Sequence, residues 1–500
     1  MSASAFGALV EVQSPPSIAS PAAVVRKDKQ GIAHTPSDQE LVELQQGRRQ
    51  PAVTPGGVSS NTATDVRTPI TPGELESHLA SPGENEGYGP APTFSNPSKT
   101  KWRFVSTCLM SFTQGLNDSA PGALIPYMED DYGIGYAVVS LIFVTNALGF
   151  ILAALVTHIL EMKLGRSKCY ALSMALLAAG YVIIICKPPF PAVVASFFLL
   201  GFGLALSLAL NNVFCANLAN STAALGGLHG SYGLGGVVGP LVATAMASHG
   251  VRWSLFYGIS LAMSLFNLGF AAWSFWTYEK ELPTQLLGAL QQTASQQAHG
   301  PDSVSKSRLL KQVVKNRTTL LGALFIFAYQ GAEVSISGWV VSFLISYRHG
   351  DPSHVGYVSA GFWAGITAGR FFLSHPAHYV GEKLSVVVLV IGSIAFQLMT
   401  WLIPNIIGDA VAVAIVGLLL GPVYPCATAV FSKLLPRSMQ MSSLSFISAM
   451  GSSGGAVSPF FTGLLAQKVG TYVLHPICIG LYGVMLVGWM SLPRIAKRSE

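Results

Sequence analysis

The sequence predicts an all-α membrane protein of twelve transmembrane helices behind a polar N-terminal tail. Three observations predict it. Charged residues make up 10% of the 500-residue chain and hydrophobic ones 51%, against roughly 25% charged in an ordinary soluble domain. Apolar runs near 20 residues long recur from residue 99 onward, each able to cross a ~30 Å hydrocarbon core. The basic residues gather in alternate loops between those runs, the pattern that sets orientation in a bilayer.

Residues 1–98 hold 6 Lys/Arg and 10 Asp/Glu, net −4, and the remaining residues hold 23 and 13, net +10. The first segment is rich in Pro, Ser, Thr, Gly and Gln and cannot bury enough apolar surface to offset ordering entropy. It reads as a disordered cytoplasmic tail. No basic stretch precedes an apolar core there, so a signal peptide is not expected. Six Ser/Thr-Pro pairs, at Ser14, Thr35, Thr54, Thr68, Thr71 and Ser81, fit proline-directed phosphorylation and equally a plain Pro-rich tail. The six cysteines form no C-x-x-C pair, so neither a metal, a disulfide framework nor a cofactor is expected. The net positive charge carries no nucleic-acid motif, so nucleic acid is not an expected partner.

The spans fall near 103–127, 136–160, 169–187, 191–216, 222–248 and 253–277, within an N-terminal half of 99–277. A polar central loop at 278–317 separates them from runs near 318–346, 354–374, 384–404, 409–432, 440–467 and 471–492, within a C-terminal half of 318–500. Placing the tail inside puts 19 basic residues on the inner side. These are Lys99, Lys101, Arg103, Lys163, Arg166, Lys168, Lys280, Lys306, Arg308, Lys311, Lys315, Arg317, Arg370, Lys383, Lys433, Arg437, Arg494, Lys497 and Arg498. Only 4, Lys187, Arg252, Arg348 and Lys468, fall outside. That bias predicts both termini in the cytoplasm.

The two halves repeat. Gln114-Gly115 and Gly122 recur as Gln330-Gly331 and Gly338 at an offset of 216, and Gly165 recurs as Gly381 at the same offset. Gly235-Gly236-x-x-x-Pro240 recurs as Gly454-Gly455-x-x-x-Pro459 at an offset of 219. Structural repeats of this kind characterise secondary transporters, with the site near the midplane between them. The glycines of span five, Gly226 to Gly239, and Gly451, Gly454 and Gly455 of span eleven suit close helix packing. They do not form a nucleotide loop, because no strand precedes them and no Lys-Ser/Thr follows.

The chain resembles the major facilitator superfamily over residues 99–500. The loop after span two carries Gly165, Arg166 and Lys168 of that superfamily's G-x-x-x-D-R-x-G-R-K signature. The acidic slot holds Met162, with Glu161 one place early, which predicts that the usual inner-gate ion pair is disturbed. Gly369-Arg370 and Gly381-Glu382-Lys383 are a weaker echo. Gln114-Gly-Leu-Asn117-Asp118-Ser-Ala-Pro-Gly122 and Tyr329-Gln-Gly-Ala-Glu333-Val-Ser-Ile-Ser-Gly338-Trp339 are similar to the fucose permease-like branch. That resemblance implies sugar/proton symport, with Asp118 at the position of the coupling acid and Asn211 where a second acid stands in the bacterial permease.

Only Asp118 and Glu333 lie deep in apolar runs. Each follows a basic anchor, Arg103 or Arg317, by about 15 residues, which at ~1.5 Å per residue is roughly 20 Å into the membrane. A carboxylate there costs roughly 2.5–3.5 kcal/mol on insertion scales and marks a pathway. Both are candidate proton-coupling residues, with hydrogen-bonded structural carboxylates as the alternative and Arg370 the nearest cation. Gln114, Asn117, Asn211, Asn212, His229, Tyr329, Gln330, Trp339 and Tyr424 are candidate substrate contacts, because amides and flat rings suit a hydroxylated solute. Trp363, Tyr357 and Gln397 are further candidates. Gly165, Arg166, Lys168 and Arg370 are candidate gating residues.

The resulting expectation is a non-enzymatic, monomeric plasma-membrane carrier that alternates access and couples protons to a small sugar-like solute. An efflux carrier for lipophilic metabolites, whose cavity would be dominated by Phe and Met, is one alternative. A non-transporting nutrient sensor signalling through the tail is another.

Overall fold

A computed structural model describes residues 92–281 and 312–493. The tail up to residue 91, with its Ser/Thr-Pro pairs, lies outside the described residues. So do Lys306, Arg308 and Lys311 of the central loop and Arg494, Lys497 and Arg498.

The apolar runs become helices in the expected order. They are α1 Thr100–Tyr132, α2 Leu141–Leu164, α3 Arg166–Ile185, α4 Phe190–Ala216, α5 Ser221–Ser248 and α6 Phe256–Phe275. There follow α7 Arg317–Ser346, α8 Tyr357–Phe372, α9 Glu382–Leu402, α10 Ile406–Leu420, α11 Arg437–Val469 and α12 Leu474–Met490. The tenth run, expected as one span, is interrupted at Gly421-Pro422 and resumes as Val423–Leu434, since proline removes a helical N–H and crowds the preceding turn. Prolines 121, 126, 240 and 459 stay inside α1, α5 and α11, where neighbouring helices can satisfy the freed carbonyls.

Among the described residues, eight of these helical segments are long and apolar enough to cross a membrane. The other four are α1, α5, α8 and α11. The helix α8 is 16 residues long, and the others carry many polar and glycine residues. This composition follows from the packing. The helix α1 packs on α5 as α7 packs on α11, α2 on α4 as α8 on α10, and α3 on α6 as α9 on α12. The repeats meet where α5 packs on α8, α2 on α11 and α1 on α7.

Ion pairs tie the helix ends. On the side of the basic loops, Arg103 donates from Nε to the Ser274 carbonyl at 2.9 Å and from Nη2 to Glu281 at 2.7 Å. Lys433 meets Glu382 at 2.6 Å. On the opposite side, Lys187 meets Asp131 at 2.5 Å and Arg348 meets Asp409 at 3.0 Å.

Candidate functional site

The site begins with glycines that let α5 approach α1. A Cβ on Gly115 would run into the Tyr232 carbonyl, and one on Gly235 into the Phe112 carbonyl. With the backbones this close, the Tyr232 hydroxyl reaches Asp118 and donates to Oδ2 at 3.1 Å. Asn117 Nδ2 donates to Asp118 Oδ1 at 3.3 Å. No ion pair forms at Asp118 among the described residues. Gly454 approaches the Phe327 carbonyl in the second repeat, so α7 and α11 are joined in the same way. Gly226 meets nothing within 4 Å, so it takes no part in the close packing expected of that run.

A cavity of about 300 Å³ opens between the repeats. Asp118, Gln114 and Asn117 line it from α1, and Glu333, Gln330 and Ser337 from α7. His229 and Tyr232 of α5, Trp363 and Arg370 of α8, and Asn146, Phe143 and Phe150 of α2 complete most of the wall. Trp363 is held by a 2.9 Å bond from Nε1 to Ser337 Oγ and meets Tyr232 edge to face with centroids 6.0 Å apart. Arg370, grouped from sequence with the gating loops, lies on α8 with its guanidinium 3.4 Å from Glu333 Oε1. Glu333 therefore has a counter-charge, whereas Asp118 has neutral donors.

The cavity is closed on the side away from the basic loops. There Gly122 lies against the Ser337 carbonyl, Gly338 against the Phe143 ring, and Gly463 against Trp339 and Ser140. Tyr127 donates its hydroxyl to the Pro352 carbonyl at 3.2 Å across the same seam.

The remaining candidates lie elsewhere. Trp339 is 1% exposed, and its Nε1 donates to the Pro459 carbonyl at 2.8 Å. It belongs to the closed seam, packed against Tyr136 and Phe143. Tyr329 is buried against Tyr424, with centroids 5.8 Å apart. Asn211 is buried within α4, and Asn212 turns back to its own helix, donating to the Leu208 carbonyl at 3.0 Å. None of these five lines the cavity. Gln397 bonds His475 at 2.7 Å, and Tyr357 is 38% exposed at the start of α8. The lining includes several residues not singled out from sequence, among them the polar Tyr232 and Asn146. Tyr232 was masked by its glycine-rich run, and Asn146 was passed over although an amide inside an apolar span is itself a signal.

The loop between α2 and α3 departs from expectation. Gly165 adopts φ +77° and turns the chain so that Arg166, 4% exposed, faces back across α2. Arg166 donates to Glu161 Oε1 from Nε at 2.9 Å and from Nη2 at 2.6 Å. The acid one place early thus forms an ion pair with Arg166, although the signature's own acidic slot holds Met162. Glu279 accepts from the Arg166 backbone N–H at 2.6 Å, and the Tyr278 ring lies 4.8 Å from the guanidinium. Lys168 is exposed.

Known proteins of similar sequence and shape fit this architecture. The profile of the Major Facilitator Superfamily matches residues 107–459 and 349–500. The chain is 26% identical over 420 residues to bypass of stop codon protein 6 of Saccharomyces cerevisiae, covering 79% of this chain and 83% of that one. It is 29% identical over 187 residues to a glucose/galactose transporter of Brucella abortus, covering 34% of this chain and 42% of that one. Among solved structures, a D-xylose-proton symporter superposes with a TM-score of 0.63 at 13% identity, covering 79% of this chain and 98% of that one. The nucleoside transporter NupG superposes with a TM-score of 0.61 at 14% identity, covering 78% and 98%.

Proposed function

The chain belongs to the major facilitator superfamily and is a multi-pass membrane transporter, not an enzyme, and from that premise we propose that it couples protons to a small polar, sugar-like solute. Asp118 is the proton site. The observation that carries this is its setting, a carboxyl on the cavity wall held by Asn117 and Tyr232. A group so placed can take up and release a proton without breaking a fixed ion pair. Glu333, paired with Arg370, holds the opposite wall.

Proton and solute enter together from one side, neutralise the cavity and permit the repeats to rock. The empty, ionised site resists that passage because a bare carboxylate is costly away from water. Asp118→Asn fixes the site in a neutral form. It should abolish pH-driven net uptake in proteoliposomes while preserving exchange of solute for solute. Full pH-driven uptake by that variant would remove Asp118 from the role.

The solute class follows from the lining. Gln114, Asn117, Asn146 and Gln330 offer amides, and Tyr232 and Trp363 offer faces on which a sugar ring can stack. A lipophilic efflux site would be dominated by Phe and Met. Here, among the described residues, phenylalanines are outnumbered by polar groups and no methionine lines the cavity. Names of relatives support the same class, since one is a glucose/galactose transporter and a structural neighbour is a D-xylose-proton symporter. Uptake of monosaccharides, with nucleosides as the comparison set, tests it directly.

A further inference from the structure

Behind the cavity wall, Tyr181 of α3 donates its hydroxyl to Asn117 Oδ1 at 3.1 Å. Its exposure is 0%, and it does not line the cavity. The ring is clamped against Tyr257 of α6, with centroids 5.9 Å apart and planes 28° from parallel. Tyr257 is in turn boxed by Phe197 and Trp253 at 6.4 Å each. The phenol therefore has little freedom to turn away.

We propose that Tyr181 is a positioning residue for proton coupling, acting through the amide of Asn117 on Asp118. This rests on the assignment of Asp118 as the proton site. An asparagine amide can point either way, and its two ends are chemically opposite. Because Tyr181 supplies a proton to Oδ1, the Nδ2 end is left facing Asp118 Oδ1 at 3.3 Å. Tyr232 supplies a second proton, to Oδ2 at 3.1 Å. Both carboxyl oxygens then meet donors, and hydrogen bonds donated to a carboxylate favour its charged form. Turned the other way, the amide would set oxygen against oxygen and favour the protonated acid. A hydroxyl outside the cavity thus sets how readily the acid inside it releases its proton.

The titratable and charged groups around Asp118 are few among the described residues. Tyr232 bonds it from α5, where His229 lines the same cavity, Tyr181 and Tyr257 stand behind it on α3 and α6, and Glu333 and Arg370 lie across the cavity on α7 and α8. Of these, Tyr181 alone reaches it through a fixed amide, and its removal leaves the cavity lining unaltered.

The test is the titration of Asp118 in reconstituted full-length protein. It is read as the infrared carboxyl band lost in Asp118→Asn, alongside the pH profile of monosaccharide uptake. Tyr181→Phe should raise the midpoint of both by about one pH unit, the scale of one hydrogen bond to a charged group. Asn117→Ala should shift it similarly, and adding Tyr181→Phe to Asn117→Ala should produce no further shift. Tyr257→Phe, which alters the neighbouring ring but not the relay, should leave the midpoint in place.

Uniformly slower uptake with an unmoved midpoint in Tyr181→Phe would overturn the proposal, as would additive shifts or an equal shift in Tyr257→Phe. Should Tyr181→Phe fail to fold, Asn117→Ser removes the same acceptor and must move the midpoint upward, or the proposal fails. The infrared band also separates this inference from the functional one. If Asp118→Asn keeps pH-driven uptake, the coupling role is lost, while the band still reports whether Tyr181 sets the proton affinity of Asp118.

Discussion

Glu333 Oε1 and the Arg370 guanidinium lie 3.4 Å apart across the gap between α7 and α8, and both line the cavity. The acid is 8% and the arginine 29% exposed through their side chains. Removing one partner leaves the other with its desolvation uncompensated. Arg370→Ala should therefore destabilise the protein by about 1–3 kcal/mol, below the figure for a fully buried pair because the arginine keeps contact with water. Arg370→Ala combined with Glu333→Gln should recover most of that loss in thermal unfolding. A double variant no more stable than Arg370→Ala would show that the pair contributes nothing at this distance.

The closed seam rests on close backbone approach at Gly122. Its missing Cβ makes room for the Ser337 carbonyl, and helices in membranes meet through such small residues. Gly122→Val should hold α1 and α7 apart on the side away from the basic loops. A cysteine placed at Phe143, in a background with the six native cysteines replaced, should then label from that side several-fold faster. Unchanged labelling with normal uptake would show that the seam adapts to the added methyls.

At the other end, Glu161 accepts two hydrogen bonds from the buried Arg166 guanidinium. Glu161→Ala should cost about 1.5–3 kcal/mol, the range for hydrogen bonds to charged groups. Moving the acid to the usual position of the signature, by Glu161→Ala with Met162→Asp, should not restore it. Met162 is 51% exposed, and one step along the helix turns its side chain by about 100° from that of Glu161. Recovery of wild-type stability in that double variant would refute the geometric account of the shifted acid.

Why this pair escaped the sequence is a matter of register. Counting back from Gly165 finds Met162 in the acidic slot, but a loop motif is satisfied in space, and the turn at φ +77° brings Arg166 to Glu161. The twelve segments were legible because hydropathy and loop charge act over whole spans. The two membrane carboxylates stood out as the exceptions to that pattern, but their partners did not. The 216-residue offset places Asn117 opposite Glu333 and Asp118 opposite Val334. One residue turns a helical side chain by about 100°, so acids at similar depth meet different neighbours, Tyr232 for one and Arg370 for the other. The aromatic candidates depended on helix rotation, which apolar runs leave unspecified when all faces are buried in protein.

Trp339 shows the consequence most directly. It follows Glu333 by six residues and was a candidate sugar platform, yet its indole is 1% exposed and bonded to the Pro459 carbonyl at 2.8 Å. Its ring fills the space left by Gly463 between α7 and α11. Trp339→Phe removes the indole N–H and leaves a buried carbonyl without that donor, which should cost about 1–3 kcal/mol. Lost packing adds to this. Thermal unfolding should therefore shift downward, while the KM for the transported monosaccharide stays within about twofold, since no substrate contact has been lost. A tenfold rise in KM with unaltered unfolding would instead place Trp339 at the solute, and the seam between α7 and α11 would have to open during transport for it to get there.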